Sequence, residues 1–209
     1  VVMILLIRRK HISVLMILLL ATVTVLSVAA EKPAAAVFAH DAAGSGETVI
    51  LDAGHGGSDG GAVAADGTAE STVTLRMAQI FRDKLLAAGY DVLMIRDGSD
   101  VQLDNVARTV MANNKADCHI ALHWDSTKTD KGAFYMSVPN NAAYRAMEPV
   151  ASHWESHNKL GSALVGGLKQ NGVKIFSSGS MEMDLTQTSY STVPSIDIEL
   201  GDGKSAHDD

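Results

Sequence analysis

The sequence predicts an α/β fold: one domain with a mostly parallel, twisted sheet and helices on both faces. Three observations carry that expectation. From Thr48 onward, short apolar runs alternate with stretches of helical spacing. The segments between those runs carry apolar residues at helical spacing, as in helices that cover a sheet. About 160 residues come after the amino-terminal region, enough to bury roughly 70% of the surface the unfolded chain exposes. Strands interleaved with helices in this way pack as a covered parallel sheet.

Thr48–Leu51 is a short apolar strand that runs into a glycine-rich loop. Val73, Met77, Ile80, Phe81 and Leu85 mark the first helix, with Gly89 as its stop. Asp91–Ile95 is the second strand, and Leu103, Val106 and Val110 lie on the second helix. Cys118–Leu122 is the third strand and Gly132–Val138 the fourth. Pro149 suits the first turn of a helix reaching Trp154, and a separate helix spans about Leu160 to Gln170. Val173–Phe176 and Ser195–Glu199 complete the strands, and the folded domain is expected to occupy residues 48–209. No internal repeat is present.

The amino-terminal region is of another kind. Arg8, Arg9 and Lys10 precede an uncharged run from Ile12 to Ala30. Its 19 residues would span roughly 28 Å as a helix, close to the thickness of a bilayer's hydrocarbon core. A basic cluster before such a run keeps the amino terminus in the cytoplasm and sends the rest of the chain outward. Residues 1–30 are therefore expected to be a signal peptide or a membrane anchor, and both readings stay open. Residues 31–47, rich in alanine and glycine, are expected to be a linker. The domain would then work outside the cytoplasm, meeting the membrane only through this segment.

Charge and cysteine content exclude several functions. The chain carries a net charge of −7, but residues 1–39 hold four basic side chains and one acid, so the remainder has a net charge of −10. A body that acidic lacks the basic footprint of a nucleic-acid binder. Its single cysteine, Cys118, allows neither an internal disulfide nor a thiolate zinc site. Cys118 is best read as a small buried hydrophobe. Any metal centre has to be made from histidine and carboxylate.

Such residues stand where an open α/β sheet places its chemistry, beyond the carboxyl ends of its strands. The first strand runs into Asp52-Ala-Gly-His55-Gly-Gly, the third ends in His123, the last ends in Glu199, and Glu70 opens the first helix. Two imidazoles and a carboxylate are a common ligand set for catalytic zinc, with a fourth position left for water. The glycine-rich loop lacks the Lys-Ser/Thr that would make it a phosphate cradle. His119 shares a strand face with His123, but four residues along a strand is roughly 13 Å. Donors to one ion lie about 2 Å from it, so His119 is expected to be a hydrogen-bonded core residue. His153 and His157, one helical turn apart, are expected on a solvated face. Asp197 points to the same side as Glu199 and needs a partner if buried, for which His119 is the candidate.

Taken in order, VILDAGHGGSDGGA, Glu70, ADCHIALH and VPSIDIELG resemble the zinc-dependent N-acetylmuramoyl-L-alanine amidases of bacterial cell walls, the type 3 family. The resemblance spans residues 48–201 and includes Arg108 in the segment Leu103–Asn113. It implies that His55, Glu70 and His123 bind Zn²⁺ and that Glu199 is the catalytic carboxylate. It implies hydrolysis of the amide between N-acetylmuramic acid and L-alanine, with peptidoglycan as the partner. The chain departs from the family at Trp124-Asp-Ser, at Asp197 and at Asp202, where asparagine with small residues, an apolar residue and phenylalanine are usual. Only eight residues come after Gly201, where members continue into a closing helix. Truncation and a divergent ending both remain open. That altered tail keeps a rival reading in play, a non-catalytic wall-binding or regulatory domain of the same fold. A zinc peptidase of similar architecture is a third.

Overall fold

The computed structural model describes residues 46–125 and 131–201. The expected signal or anchor of residues 1–30, nearly all of the expected linker and Asp202 lie outside the described residues. Among those described, no helix is long and apolar enough to cross a membrane.

Six strands form one sheet: β1 (Thr48–Ala53), β2 (Asp91–Met94), β3 (Cys118–His123), β4 (Ala133–Ser137), β5 (Ile175–Glu182) and β6 (Ser195–Glu199). Their order is β2-β1-β3-β6-β4-β5, and every neighbouring pair is parallel except β4 with β6. The predicted mostly parallel sheet is therefore present. Helices α1 (Glu70–Ala87) and α2 (Asn105–Lys115) come after β1 and β2. The short α3 (Ala142–Arg145), the long α4 (Val150–Gln170) and the short α5 (Thr186–Ser189) complete the chain. Asp104 caps α2 by accepting from the Ala107 N–H.

Alternation along the strands divides the residues between two faces. Val49, Leu51, Cys118, Ile120, Leu122, Ile196 and Ile198 pack against Ala78, Phe81 and Leu85 of α1 and Leu160, Leu164 and Leu168 of α4. Ile50 packs on the opposite face with Ile95 and Ala112 of α2. The rest of that second face is polar at the sheet centre: Asp52, His119, Ser195 and Asp197 are all buried. Burial also pushes the Cys118 thiol up to about 12, so it behaves as the small hydrophobe expected.

Three expectations change. The two helices predicted between Pro149 and Gln170 are one continuous helix of 21 residues, with Pro149 as its cap. At Gly161 the helix lies close on the sheet: a Cβ there would fall 2.2 Å from the Tyr135 ring. The last strand before β6 is longer than predicted, because a bulge carries the register from Ala133↔Ile175 to Tyr135↔Ser180. A run of serines around a glycine hid that strand.

The third correction concerns His157, which is buried rather than solvated. The ladder between β4 and β6 stops at Ile198, and the Ser195 N–H, beyond it, donates to His157 Nδ1 at 2.9 Å. Protonation would put a second hydrogen against that N–H. Burial first, and His153 second, hold the imidazole down to about 3. A histidine charged in the unfolded chain near pH 6.5 and neutral in the folded one withdraws stability as pH falls from about 6.5 toward 3. Between pH 7.5 and 5.0 this should cost about 2 kcal/mol. His157→Gln should shrink that pH-dependent loss in paired urea titrations; an equal loss in both proteins would remove His157 as its source.

Candidate metal centre

The strand ends and one loop bring His55, Glu70 and His123 together. A donor atom from each lies within 4.8 Å of the others. His55 Nε2 is 3.1 Å from Glu70 Oε2, and His123 Nδ1 is 3.1 Å from Glu70 Oε1. Donors about 2.0–2.1 Å from a tetrahedral zinc stand roughly 3.3 Å apart, so this spacing fits one shared ion. Glu199, in register with His123 on the neighbouring strand, stands beside the group. Its Oε2 is buried without a hydrogen-bond partner.

Each side chain is held by identifiable contacts. Glu70 is buried at the start of α1, where Oε2 accepts from the Ala62 N–H at 2.9 Å and Oε1 from the Trp124 N–H at 2.8 Å. Burial opposes its charge, but His123, His55 and these two N–H groups hold the carboxyl well below the usual range. His55 has a positive φ of 63°, and its Nδ1 lies 2.9 Å from Asp59 Oδ2. An ionised carboxylate only accepts, so Nδ1 carries the hydrogen and Nε2 is left for a ligand. Glu70, more than Asp59, raises the His55 imidazole against its burial.

Two glycines clear the space. A Cβ on Gly54 would lie 2.5 Å from His123 Cε1, and one on Gly61 would lie 2.6 Å from both Glu70 Oε2 and the His55 ring. Gly61 also has φ +67°, a conformation side chains rarely adopt.

Beneath the loop, two buried arginines hold its carbonyls. Arg108 pairs with Asp52 and donates to Ala53 O and, at 2.7 Å, to His55 O. Arg96 donates to Ala53 O, Gly54 O and Ser71 O, tying the loop to the start of α1. Burial opposes the charge on Asp52, yet His119 and Arg108 hold its carboxyl low. Of these anchors only Arg108 was marked in the sequence. Arg96 and Asp59 carried no pattern, although a carboxylate four residues from His55 within a tight loop was a usable signal.

His119 is fully buried, with Nδ1 2.8 Å from Ser195 Oγ and Nε2 3.3 Å from Asp52 Oδ2. It is the hydrogen-bonded core residue expected. The pairing suggested for Asp197 is not formed, because Asp52 already occupies His119. Asp197 faces His123 instead, with Oδ2 3.6 Å from Nε2. Burial raises the carboxyls of Asp197 and Glu199, and the Asp197 charge adds to the rise at Glu199, to about 8. Against its own burial, His123 is pushed up to about 10 by Asp197, Glu70 and Glu199. The pocket thus holds more acid than its two imidazoles offset, which suits a divalent cation.

Fold and site together define an α/β domain able to hold a divalent cation at its strand ends. The profile of the N-acetylmuramoyl-L-alanine amidase family, Amidase_3, matches residues 49–206, and the chain belongs to this family. It is similar to the N-acetylmuramoyl-L-alanine amidase AmiA of Escherichia coli (strain K12), with 33% identity over 116 residues, 54% of this chain and 40% of that protein. It is also similar to the amidase AmiC of Neisseria meningitidis serogroup B, with 30% identity over 141 residues, 67% of this chain and 33% of that one. The chain thus spans well under half the length of these curated relatives. Among solved structures, the amidase Ami1 of Mycobacterium smegmatis superposes with a TM-score of 0.63 at 21% identity, covering 80% of this chain and 87% of that chain. That likeness is one of fold.

Proposed function

We propose that the protein is a zinc-dependent N-acetylmuramoyl-L-alanine amidase, hydrolysing the amide between the lactyl group of N-acetylmuramic acid and L-alanine in peptidoglycan. The observation that carries this reading is the convergence of His55, Glu70 and His123 within 4.8 Å, with Glu199 beside them. In this reading the first three are the zinc ligands and Glu199 is the catalytic carboxylate. When bound, zinc supplies Lewis acidity, polarising the scissile carbonyl and making a water acidic near neutral pH.

The chain's own residues do the rest. Asp59 holds His55 in the tautomer that presents Nε2, and the Ala62 and Trp124 N–H groups orient Glu70. Glu199 accepts the proton of the attacking water at its unpartnered Oε2, then returns it to the departing L-alanine amine. Burial matches that carboxyl to the task by moving it toward neutrality. The basic cluster and apolar run at the amino terminus support an extracytoplasmic location, cleaved or anchored, where such a substrate lies.

Purified protein loaded with zinc should release new L-alanine amino termini from peptidoglycan without new reducing sugar ends. Reducing ends would reveal a glycosidase instead. One bound zinc with no cleavage would favour the non-catalytic wall-binding domain.

A further inference from the structure

The two nitrogens of His123 face different acids. Nδ1 is 3.1 Å from Glu70 Oε1, while Nε2 is 3.6 Å from Asp197 Oδ2. Asp197 is only 7% exposed, and its Oδ1 has no hydrogen-bond partner. It stands in register with Ala121, midway between His119 and His123 on β3, and that small neighbour leaves the carboxylate room to reach along the strand. His119 does not draw it, since both its nitrogens are taken by Ser195 and Asp52.

We propose that Asp197 is a positioning residue: it accepts from His123 Nε2–H, fixing the imidazole in the tautomer that presents Nδ1 to the ion beside Glu70. This rests on the reading of His123 as a zinc ligand. The present 3.6 Å is an ion-pair distance, and a shift of about half an ångström makes it a hydrogen bond. A carboxylate on the far nitrogen of a ligating histidine fixes the ring and raises its basicity, and losing such a partner typically weakens metal binding roughly 10–100-fold. The competing arrangement, a second ion held by His123, Asp197 and Glu199, would require both nitrogens of one ring to ligate. That needs a doubly deprotonated imidazole.

The test is zinc affinity and stoichiometry of the full chain, measured by competition with a chromophoric chelator for wild type, Asp197→Asn and Asp197→Leu. One zinc per chain is expected throughout, bound about 10-fold more weakly in Asp197→Asn and up to about 100-fold more weakly in Asp197→Leu. Circular dichroism of the metal-free proteins should be unchanged. Nitrogen-15 spectra of labelled histidine should show a hydrogen-bonded His123 Nε2–H in zinc-loaded wild type that Asp197→Leu loses. Should Asp197→Leu not fold, the isosteric Asp197→Asn decides. Affinities within twofold of wild type in the folded variants would overturn the proposal while leaving the ligand reading intact. Two zinc ions per wild-type chain, falling to one in Asp197→Asn, would replace it with the second-ion arrangement. Wild type that binds no zinc would overturn both.

Discussion

If the proposed function holds, Glu199→Gln is expected to keep the zinc stoichiometry of wild type and to cleave peptidoglycan about 10²–10⁴-fold more slowly. Glutamine keeps the size of the side chain and an acceptor oxygen but cannot take a proton from water. The change falls at the end of a central strand, in register with His123, so the frame of the site should not move. In the proposed mechanism the lost interaction belongs to the transition state, so kcat should fall with KM little altered. A variant that retained more than about a tenth of the wild-type rate would exclude Glu199 as the proton carrier. The stoichiometry measurement keeps that outcome separate from simple loss of the ion.

The largest expected effect on stability comes from Arg108→Met. Arg108 and Asp52 form an ion pair with both side chains almost wholly buried. Removing the guanidinium takes the cation from a carboxylate that is 1% exposed, leaving it only His119, and takes a donor from His55 O. Breaking a buried pair from one side costs about 3–5 kcal/mol, a large share of the roughly 5–15 kcal/mol that holds a typical domain folded. The Asp52→Asn/Arg108→Met double variant should recover part of that loss, because it no longer buries an unpaired charge. Urea titrations of the three proteins test this. A loss below about 1 kcal/mol in the single variant would mean that His119 alone compensates Asp52.

Much of the architecture was legible because buried parallel strands leave a plain trace. Val49-Ile50-Leu51 and Ile120-Ala121-Leu122 are apolar at successive positions, and both runs lead directly into the site. Less legible were features decided by contact between distant segments. Gly161 meets the Tyr135 ring only once α4 is laid on β4. His157 looks solvent-facing until the unpaired Ser195 N–H is found opposite it. At the site, the sequence pointed to His119 as the partner of Asp197, although His119 and His123 share one strand face. The choice is made by Asp52 on a third strand, which occupies His119 first. Arg96 lacked any pattern, since all its partners but Thr74 Oγ1 are main-chain oxygens, and those exert no demand on the residue types around them.

The loop from Gly54 to Glu70 lies near the surface, where chains usually drift in sequence with little penalty. Its tolerance of change should nonetheless be patchy. Val63 projects into solvent and should accept most replacements in a randomised library. Gly54 and Gly61, earlier in the loop, leave no volume for even a methyl group against His123, Glu70 and His55. Survivors of such a library would be varied at the tip of this loop and nearly uniform at the two points where it touches the histidines.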